Sequence, residues 1–122
     1  MEFGVGIHGE PGRKREKIKS AKEITSELMG AILEDLRPEN NQEVLLHVNG
    51  FGGTPLMELY LLYDVSKKIL NQKNIKVSRS LTGNFTTSLD MAGGSITVTK
   101  LDEKIIQHWD SPVHTAALRW KI

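Results

Sequence analysis

The chain has 122 residues, of which 39% are hydrophobic and 25% are charged, so we expect a single globular domain with a core of its own. A net charge of +1 gives no electrostatic reason to expect a nucleic-acid partner, and no apolar run approaches the ~20 residues of a membrane span. The sequence contains no cysteine, which excludes disulfides and thiolate metal sites and agrees with a cytoplasmic location.

The N-terminal segment contains one histidine in a glycine-dense stretch. Glu2 to Ile7 is predicted to form a short strand, and residues 4–12 read GVGIHGEPG, so His8 has glycines close by on both sides. Glycine adds no bulk, and an imidazole with an ordinary pKa of about 6.5 is largely uncharged near neutral pH and can act as a nucleophile. A turn histidine without chemistry is the alternative. The first three glycines also fit the G-x-G-x-x-G dinucleotide pattern, but no helix follows at once, so we do not expect a nucleotide site.

Residues 9–19 are predicted to form a loop in which five cations crowd together. This loop is either solvated and mobile, or a docking patch for an acidic partner or a phosphate, because clustered cations attract anions. The five cations are Arg13, Lys14, Arg15, Lys17 and Lys19.

A capping box marks the start of the first helix, since the Ser20 side chain can accept from the amide of Glu23 while Glu23 reaches back. Apolar residues then recur every three or four positions and predict one buried helical face, and Pro38 ends the helix. These apolar residues are Ile24, Leu28, Ala31, Ile32 and Leu36.

The next predicted unit is a strand, a turn and a helix. Glu43 to Val48 is predicted as the strand, with His47 as a packed or surface histidine because no other ligand lies at metal-binding spacing. Residues 49–53 are predicted as a glycine-rich turn, with Thr54 at the helix N-cap and Pro55 at the first helical position. The turn either packs the helix on the sheet or binds an anion through its N–H groups, and it is no P-loop because Gly-Lys-Ser/Thr is missing. The predicted buried stripe of this helix is Leu56, Leu59, Tyr60, Tyr63 and Leu70.

Two further strands, Ile75 to Leu81 and Ser95 to Leu101, follow each other without a helix between them. The polar stretch between them carries Asp90, which we interpret as a turn or capping residue, with a catalytic role as the alternative. Asp102 to Trp109 is predicted as a short helix, followed by an ordered tail with His114 at the surface. Consecutive strands without a helix favour an α+β two-layer sandwich, with a mixed or antiparallel sheet and helices packed on one face.

Four stretches, in order along the chain, resemble a known family. They read GIHGEP at residues 6–11, NGFGGTPLMELY at 49–60, TSLDMAG at 87–93 and DSPVHTAAL at 110–118. On these residues the chain is similar to the second domain of the substrate-binding subunit of dihydroxyacetone (glycerone) kinases. The resemblance implies that residues 1–122 form that one domain and that the first domain of the subunit is absent. One departure is Gly94, where the family often has a large aromatic residue.

The resemblance implies a specific chemistry for the glycine-dense segment. In the family, the histidine of the GIHGEP stretch holds dihydroxyacetone covalently as a hemiaminal, so His8 is the expected covalent anchor and Gly9 an expected substrate contact. The other family contacts with substrate lie on the first domain, so we expect weak activity or none from this chain alone. There are two alternatives. The chain could belong to a relative that senses dihydroxyacetone and binds a transcription factor, or it could be a non-catalytic structural or dimerisation domain.

The resemblance also implies which groups lie on partners. No cofactor or metal is expected on this chain. ADP or ATP with Mg is expected on a nucleotide-binding kinase subunit or domain, which in bacteria is commonly supplied by a phosphoenolpyruvate-dependent phosphotransferase relay. The expected partners are dihydroxyacetone, the first domain of the subunit and the kinase subunit, in a pathway of glycerol metabolism, and a homodimer is left open.

Overall fold

The computed structural model of the chain describes residues 1–6 and 10–122. Among these residues are seven strands and three helices, in the chain order β1 (Glu2–Phe3), β2 (Lys14–Arg15), α1 (Ala21–Leu36), β3 (Glu43–Gly52), α2 (Leu56–Gln72), β4 (Lys76–Gly83), β5 (Ala92–Lys100), α3 (Glu103–Trp109), β6 (Val113–His114) and β7 (Arg119–Trp120). None of the described helices is long and apolar enough to cross a membrane.

A three-stranded mixed sheet forms the centre of the domain. Its middle strand is β3, which pairs in parallel with β4 and antiparallel with β5. The parallel pair is connected through α2, because parallel strands need a long crossover, whereas β4 and β5 follow each other through a loop. The arrangement confirms the predicted α+β class with a mixed sheet.

The core lies between one face of this sheet and the helices α1 and α2. Val44, Leu46 and Val48 alternate along β3 and are completely buried, because a period of two places them on the same face. They form one cluster with residues of both helices and of the neighbouring strands. The other members are Met29, Leu59, Leu70, Ile75 and Val98. The helices therefore cover one face of the sheet, as predicted.

Both ends of α1 follow from the sequence. The Ser20 hydroxyl accepts from the N–H of Glu23 at 3.3 Å, and the Glu23 carboxylate accepts from the N–H of Ser20 at 3.0 Å. At the other end Arg37 has a left-handed backbone with a φ of 44°, and its N–H donates to the Leu33 carbonyl at 3.0 Å. The predicted capping box and helix end are confirmed.

Several strand boundaries differ from the prediction. Within the described residues 2–6, the strand predicted over Glu2 to Ile7 is limited to β1, and residues 10–19 of the predicted loop contain β2, its pairing partner. The strand predicted to end at Val48 continues through the predicted turn to Gly52, because Gly52 still pairs with Ala92 of β5. Pairing with the neighbouring strand outweighs the low strand propensity of glycine at these positions.

The start of α2 is also corrected. Pro55 occupies the N-cap position, and the Thr54 hydroxyl instead donates to the Gly93 carbonyl at 2.8 Å. Within the predicted buried stripe, Leu59 and Leu70 are buried, but Leu56 and Tyr60 are 45% and 55% exposed. The first turns of α2 therefore present apolar side chains at the surface.

The C-terminal region agrees with the prediction of a short helix and an ordered tail. The Asp102 carboxylate accepts from the N–H of Ile105 at 2.7 Å and caps α3. In the tail β6 and β7 pair antiparallel, with Val113 opposite Trp120. His114 is exposed, as predicted.

Candidate functional site

The glycine-dense segment belongs to an N-terminal β-hairpin. β1 and β2 pair antiparallel, and the N–H of Arg13 donates to the Phe3 carbonyl at 2.6 Å. Further along, the N–H of Gly6 donates to the Glu10 carbonyl at 3.2 Å. These hydrogen bonds join the chain on either side of positions 7–9. His8 and Gly9 lie outside the described residues, so their roles as covalent anchor and substrate contact stay predictions.

Two of the glycines in this segment are needed by the hairpin backbone itself. Gly4 has a φ of 71°, a conformation that strains most other residues. At Gly12 an added Cβ would lie 2.7 Å from the Phe3 carbonyl oxygen, which is too close for a real contact. Part of the glycine content therefore shapes the loop in which His8 occurs.

Ion pairs attach the hairpin to α1. The ammonium groups of Lys14 and Lys19 both pair with the carboxylates of Glu16 and Glu27, the latter in the first half of α1. Hydrogen bonds from the two lysines lower the pKa of Glu16 to about 2. The Arg15 guanidinium pairs with a glutamate of β1 at 3.2 Å. All five cations are exposed, as a solvated loop requires. Three of them have carboxylate partners within the described chain, so the positive charge of the predicted docking patch is largely compensated.

The hairpin lies toward the end of the sheet at which the two parallel strands finish. The short connection 37–42 returns the chain from α1 directly into β3, so α1 begins near the end at which β3 finishes. Ligand sites in sheets with parallel strands form outside the carboxyl ends of those strands. The described part of the hairpin, residues 1–6 and 10–15, is therefore near the end of the fold where a ligand site is expected.

A buried asparagine organises the loop at this same end. Asn49 is 4% exposed, and its side-chain oxygen accepts from the N–H groups of Phe85 and Thr86, both at 2.9 Å. Its side-chain nitrogen donates to the Thr86 carbonyl at 2.7 Å. All three bonds cross from β3 to the loop after β4, so Asn49 fixes the start of the 84–91 loop.

The backbone N–H groups of the glycine-rich segment donate to the 84–91 loop. The N–H of Gly52 donates to the Thr87 hydroxyl at 2.8 Å, and the N–H of Gly53 donates to the Met91 carbonyl at 2.9 Å. An anion at this turn would need these donors. The structure therefore favours the packing interpretation over anion binding.

The remaining candidates have surroundings that do not favour chemistry. Asp90 is exposed, and its side chain forms no hydrogen bond or ion pair within the described residues. His47 is half-buried, its ring packs edge-on against Phe85 at 5.7 Å between centroids, and burial lowers its pKa. Within residues 1–6 and 10–122 no group of three or more acidic or histidine side chains could hold a metal ion. The interpretation of His47 as a packed histidine is confirmed.

This end of the molecule also exposes large apolar side chains, which we call the apolar rim. Met57 and Leu89 are 80% and 100% exposed. The rim consists of Leu56, Met57, Tyr60, Leu61, Leu89 and Met91. Apolar side chains gathered at one end of a domain often mark a protein contact.

Comparison with protein families identifies the fold unit. Residues 1–117 match the model of the Dak1 domain. The chain belongs to the Dak1 domain family. The match includes the hairpin, both long helices, the central sheet and most of the tail.

The relatives of this Dak1 domain are considerably longer than the chain. The dihydroxyacetone-binding subunit DhaK of PTS-dependent dihydroxyacetone kinase 2 from Listeria innocua is 40% identical over 94% of this chain and 35% of its own length. The dihydroxyacetone-binding subunit DhaK from Lactococcus lactis is 44% identical over 84% of this chain and 31% of its own length. The solved structure of the dihydroxyacetone kinase operon co-activator DhaQ superposes with a TM-score of 0.83 at 34% identity, covering 91% of this chain and 35% of that one. The chain thus spans about a third of the length of these relatives.

In this Dak1 domain, two of the four family stretches are joined directly. The stretches at 49–60 and 87–93 are hydrogen-bonded to each other. The stretch at 110–118 lies elsewhere on the sheet. Its Asp110 accepts hydrogen bonds from Arg79 in the first half of β4, whereas those two stretches meet at the end of β3. Neither Asn49 nor Arg79 was singled out from the sequence. The sequence contains one signal for Asn49, which is its position at the end of a predicted strand and directly before a glycine-rich segment. It contains none for Arg79.

Proposed function

We propose that this chain is the substrate-binding part of a dihydroxyacetone (glycerone) kinase and that His8 holds dihydroxyacetone covalently. The observation that carries the proposal is the Dak1 match over residues 1–117, with relatives named as dihydroxyacetone-binding subunits. The hydrogen bond from Gly6 to Glu10 supports it, because it brings together the two described residues that flank the position of the proposed anchor.

The proposed reaction of His8 is reversible addition to a ketone. A neutral ring nitrogen forms a bond to C2 of dihydroxyacetone, and the π electrons of the carbonyl become a lone pair on its oxygen. That oxygen takes up a proton and the other ring nitrogen releases one, which gives a neutral tetrahedral hemiaminal. Glycerol cannot react in this way because it has no carbonyl. The adduct holds a terminal hydroxyl in one orientation for phosphoryl transfer, which removes the entropic cost of positioning it.

The phosphoryl group would come from a partner that carries ADP or ATP with Mg. The relatives' names, which call the kinases PTS-dependent, support a relay that begins with phosphoenolpyruvate. In this scheme His8 is an anchor and is not phosphorylated. The first domain of the subunit would supply the remaining substrate contacts, with Gly9 beside the anchor. A cytoplasmic location, a role in glycerol metabolism and homodimer formation belong to the same proposal.

A coactivator is the second candidate, because the structure of the co-activator DhaQ superposes on this chain. Such a protein would bind dihydroxyacetone and a transcription factor without catalysing phosphorylation. A purely structural or dimerisation domain is the third candidate and would form no adduct.

Turnover in a subunit of the relatives' length that contains this chain separates these candidates. The subunit is combined with a nucleotide-binding partner and supplied with either ATP or phosphoenolpyruvate and its relay. We expect phosphorylation of dihydroxyacetone that His8→Ala abolishes and that His114→Ala, at the exposed histidine of β6, leaves unchanged. Adduct formation without turnover under either donor would support the coactivator. Turnover retained in His8→Ala would remove the proposed anchor.

A further inference from the structure

The central sheet has two edge strands, and only one of them is protected from pairing with another chain. At the β4 edge the ladder with β3 shifts register, and the ion pair between Arg79 and Asp110 attaches the tail to this strand. Bulges, charges and covering segments of this kind are the usual protection of an edge strand. At the other edge, the ladder of β5 with β3 is regular from Ala92 to Lys100. β5 is therefore the edge to which a further strand can add.

The sequence of β5 also lacks the usual protection. The nine residues read AGGSITVTK, so the strand has no proline and one charge, which lies at its last position. Within the part of the chain that the structure describes, β3 is the only strand that pairs with it. A long, regular and nearly uncharged edge is a template for strand addition.

One hydrogen bond fixes which backbone groups of β5 point outward. The N–H of Leu101 donates to the Glu43 carbonyl at 2.9 Å, directly across the ladder. Because these groups alternate along an antiparallel ladder, the N–H and C=O groups of Gly94, Ile96 and Val98 point away from β3. No hydrogen bond joins these outward groups to any of residues 1–6 and 10–122. They are the groups that an added strand would bind.

Two copies of β5 are complementary to each other about a two-fold axis at Ile96, the middle residue of the strand. An antiparallel copy centred there places Ile96 opposite the partner's Ile96, and Gly94 opposite the partner's Val98. Outward groups then face outward groups along the whole strand. The half-buried Ile96 gains an apolar neighbour, and Gly94 has no side chain to oppose the valine. This self-complementarity favours a second copy of the chain over a strand of another protein.

The charges at the ends of β5 are compatible with this pairing. Lys100 lies opposite the partner's Ala92, so the two lysines are separated by the length of the strand. Asp90 comes two residues before the strand, which brings it toward Lys100 of the partner subunit, and opposite charges on neighbouring strands attract. Asp102 would lie opposite the partner's Asp90, but the chain leaves the sheet there, because the Asp102 carboxylate caps α3 by accepting from the N–H of Ile105.

We propose that β5 is a dimerisation strand, along which two copies of this chain pair antiparallel and join their three-stranded sheets into one. The proposal rests on the homodimer named in the proposed function and gives it an interface. It does not rest on the reaction of His8, so loss of the dimer and loss of the adduct are separate results.

Sedimentation equilibrium of the 122-residue chain measures the association, and amide hydrogen exchange locates it. We expect a dimer whose population rises with protein concentration. The amides of Gly94, Ile96 and Val98 should exchange more slowly as the concentration rises, because they become bonded only in the dimer. The amides of Ser95 and Thr97 bond to β3 and should be protected at every concentration.

Thr97 allows matched variants, because its side chain is exposed and lies next to the proposed axis. Thr97→Lys places like charges on neighbouring positions across the axis, as does Thr97→Glu, and each is expected to raise the dissociation constant of its dimer about threefold. A mixture of the two variants should form a heterodimer that is tighter than either homodimer. Ser80→Lys adds the same charge as Thr97→Lys at an exposed position of β4 and should dimerise like the wild type.

Three results would overturn the proposal. The first is a chain that stays monomeric or forms assemblies larger than a dimer. The second is exchange of the three outward amides at a rate that does not depend on concentration. The third is protection of these amides in a monomeric subunit of the relatives' length, because a strand of that subunit would then cover the edge. His8→Ala should dimerise like the wild type, so failure of adduct formation would leave the interface intact.

Discussion

Arg79 and Asp110 form a two-point ion pair that joins the central sheet to the C-terminal tail, with donor–acceptor distances of 2.8 and 2.5 Å. The Arg79 guanidinium lowers the pKa of the Asp110 carboxyl. Asp110 is the first residue of the fourth family stretch, and its ion-pair partners within the described residues are Arg79 of β4 and Lys121 of the tail. Its role is therefore to position the tail.

Asp110→Asn should loosen the tail while the rest of the fold remains. The amide keeps the size of the side chain but loses its charge and one of the two acceptors for Arg79. We expect a thermal midpoint a few degrees lower and a red-shifted tryptophan emission, since Trp109 directly precedes Asp110 and both tryptophans line the same cleft as Arg79. Asp90→Asn, at an exposed loop position, is the control and should change neither quantity. An unchanged emission in Asp110→Asn would show that the pair does not hold the tail.

Glu16 should make the stability of the hairpin depend on acid pH. Its pKa in the folded chain is lowered from 4.5 to about 2 by hydrogen bonds from Lys14 and Lys19. A lowered pKa in the folded state means that the contribution is fully present above about pH 4.5 and is lost as the pH falls toward 2. Thermal midpoints of the wild type and Glu16→Gln should therefore differ at pH 6 and converge near pH 2.

The control for this titration is Glu34→Gln, whose exposed side chain forms no ion pair within the described residues. It should follow the wild type at every pH. If the thermal midpoints of the wild type and Glu16→Gln differed by the same amount at every pH, the result would contradict a stabilising role for the Glu16 ion pairs.

Asn49→Ala should release the 84–91 loop. The substitution leaves two N–H groups and one carbonyl of the loop without their partner, and we expect a loss of about 1–3 kcal/mol in the free energy of unfolding. Hydrogen exchange at Phe85 and Thr86 should become faster. Asn49→Asp keeps an acceptor oxygen for these two amides but replaces the donor with a second oxygen that carries negative charge and faces the Thr86 carbonyl. It should still protect the two amides better than Asn49→Ala does. Equal exchange in the two variants would mean that the acceptor is unimportant.

Neighbouring glycines provide a test of the tight connection between β3 and α2. Gly52 has a φ of 55°, and an added Cβ would clash with the Met91 carbonyl oxygen, so Gly52→Ala should cost about 1–3 kcal/mol of stability. Gly53 has open space around its Cα, and Gly53→Ala should be close to neutral. Denaturant unfolding measures both. A neutral Gly52→Ala would show that the backbone can rearrange at this point.

Much of the fold could be predicted from the sequence because its signals are local. The Ser20–Glu23 capping box lies within four residues, and the burial of Val44 and its neighbours follows from alternation along one strand. β2 could not be predicted, because two charged residues become a strand only through pairing with β1. Likewise nothing near Arg79 indicates Asp110, which lies 31 residues away in sequence.

For the candidate site, the sequence predicted the family but not the surroundings of its residues. The GIHGEP stretch indicated the family, and the Dak1 match confirms that level of the prediction. The chemistry of His8 rests on resemblance, because reactivity depends on how the ring is surrounded in three dimensions. The exposure of Leu56 and Tyr60 was missed because α2 is apolar on more than one side, and helical spacing alone does not tell which side faces the sheet.

Carbon NMR of dihydroxyacetone labelled at its carbonyl tests the central claim most directly. The labelled ketone is mixed with this chain, and with a subunit of the relatives' length that contains it, each as wild type and as His8→Ala. We predict that the ketone signal moves to a tetrahedral position with the wild-type subunit and not with His8→Ala. The same movement with the chain alone would show that His8 reacts without the first domain. A ketone signal that stays unchanged with the wild-type subunit, or that moves equally with His8→Ala, would contradict the account.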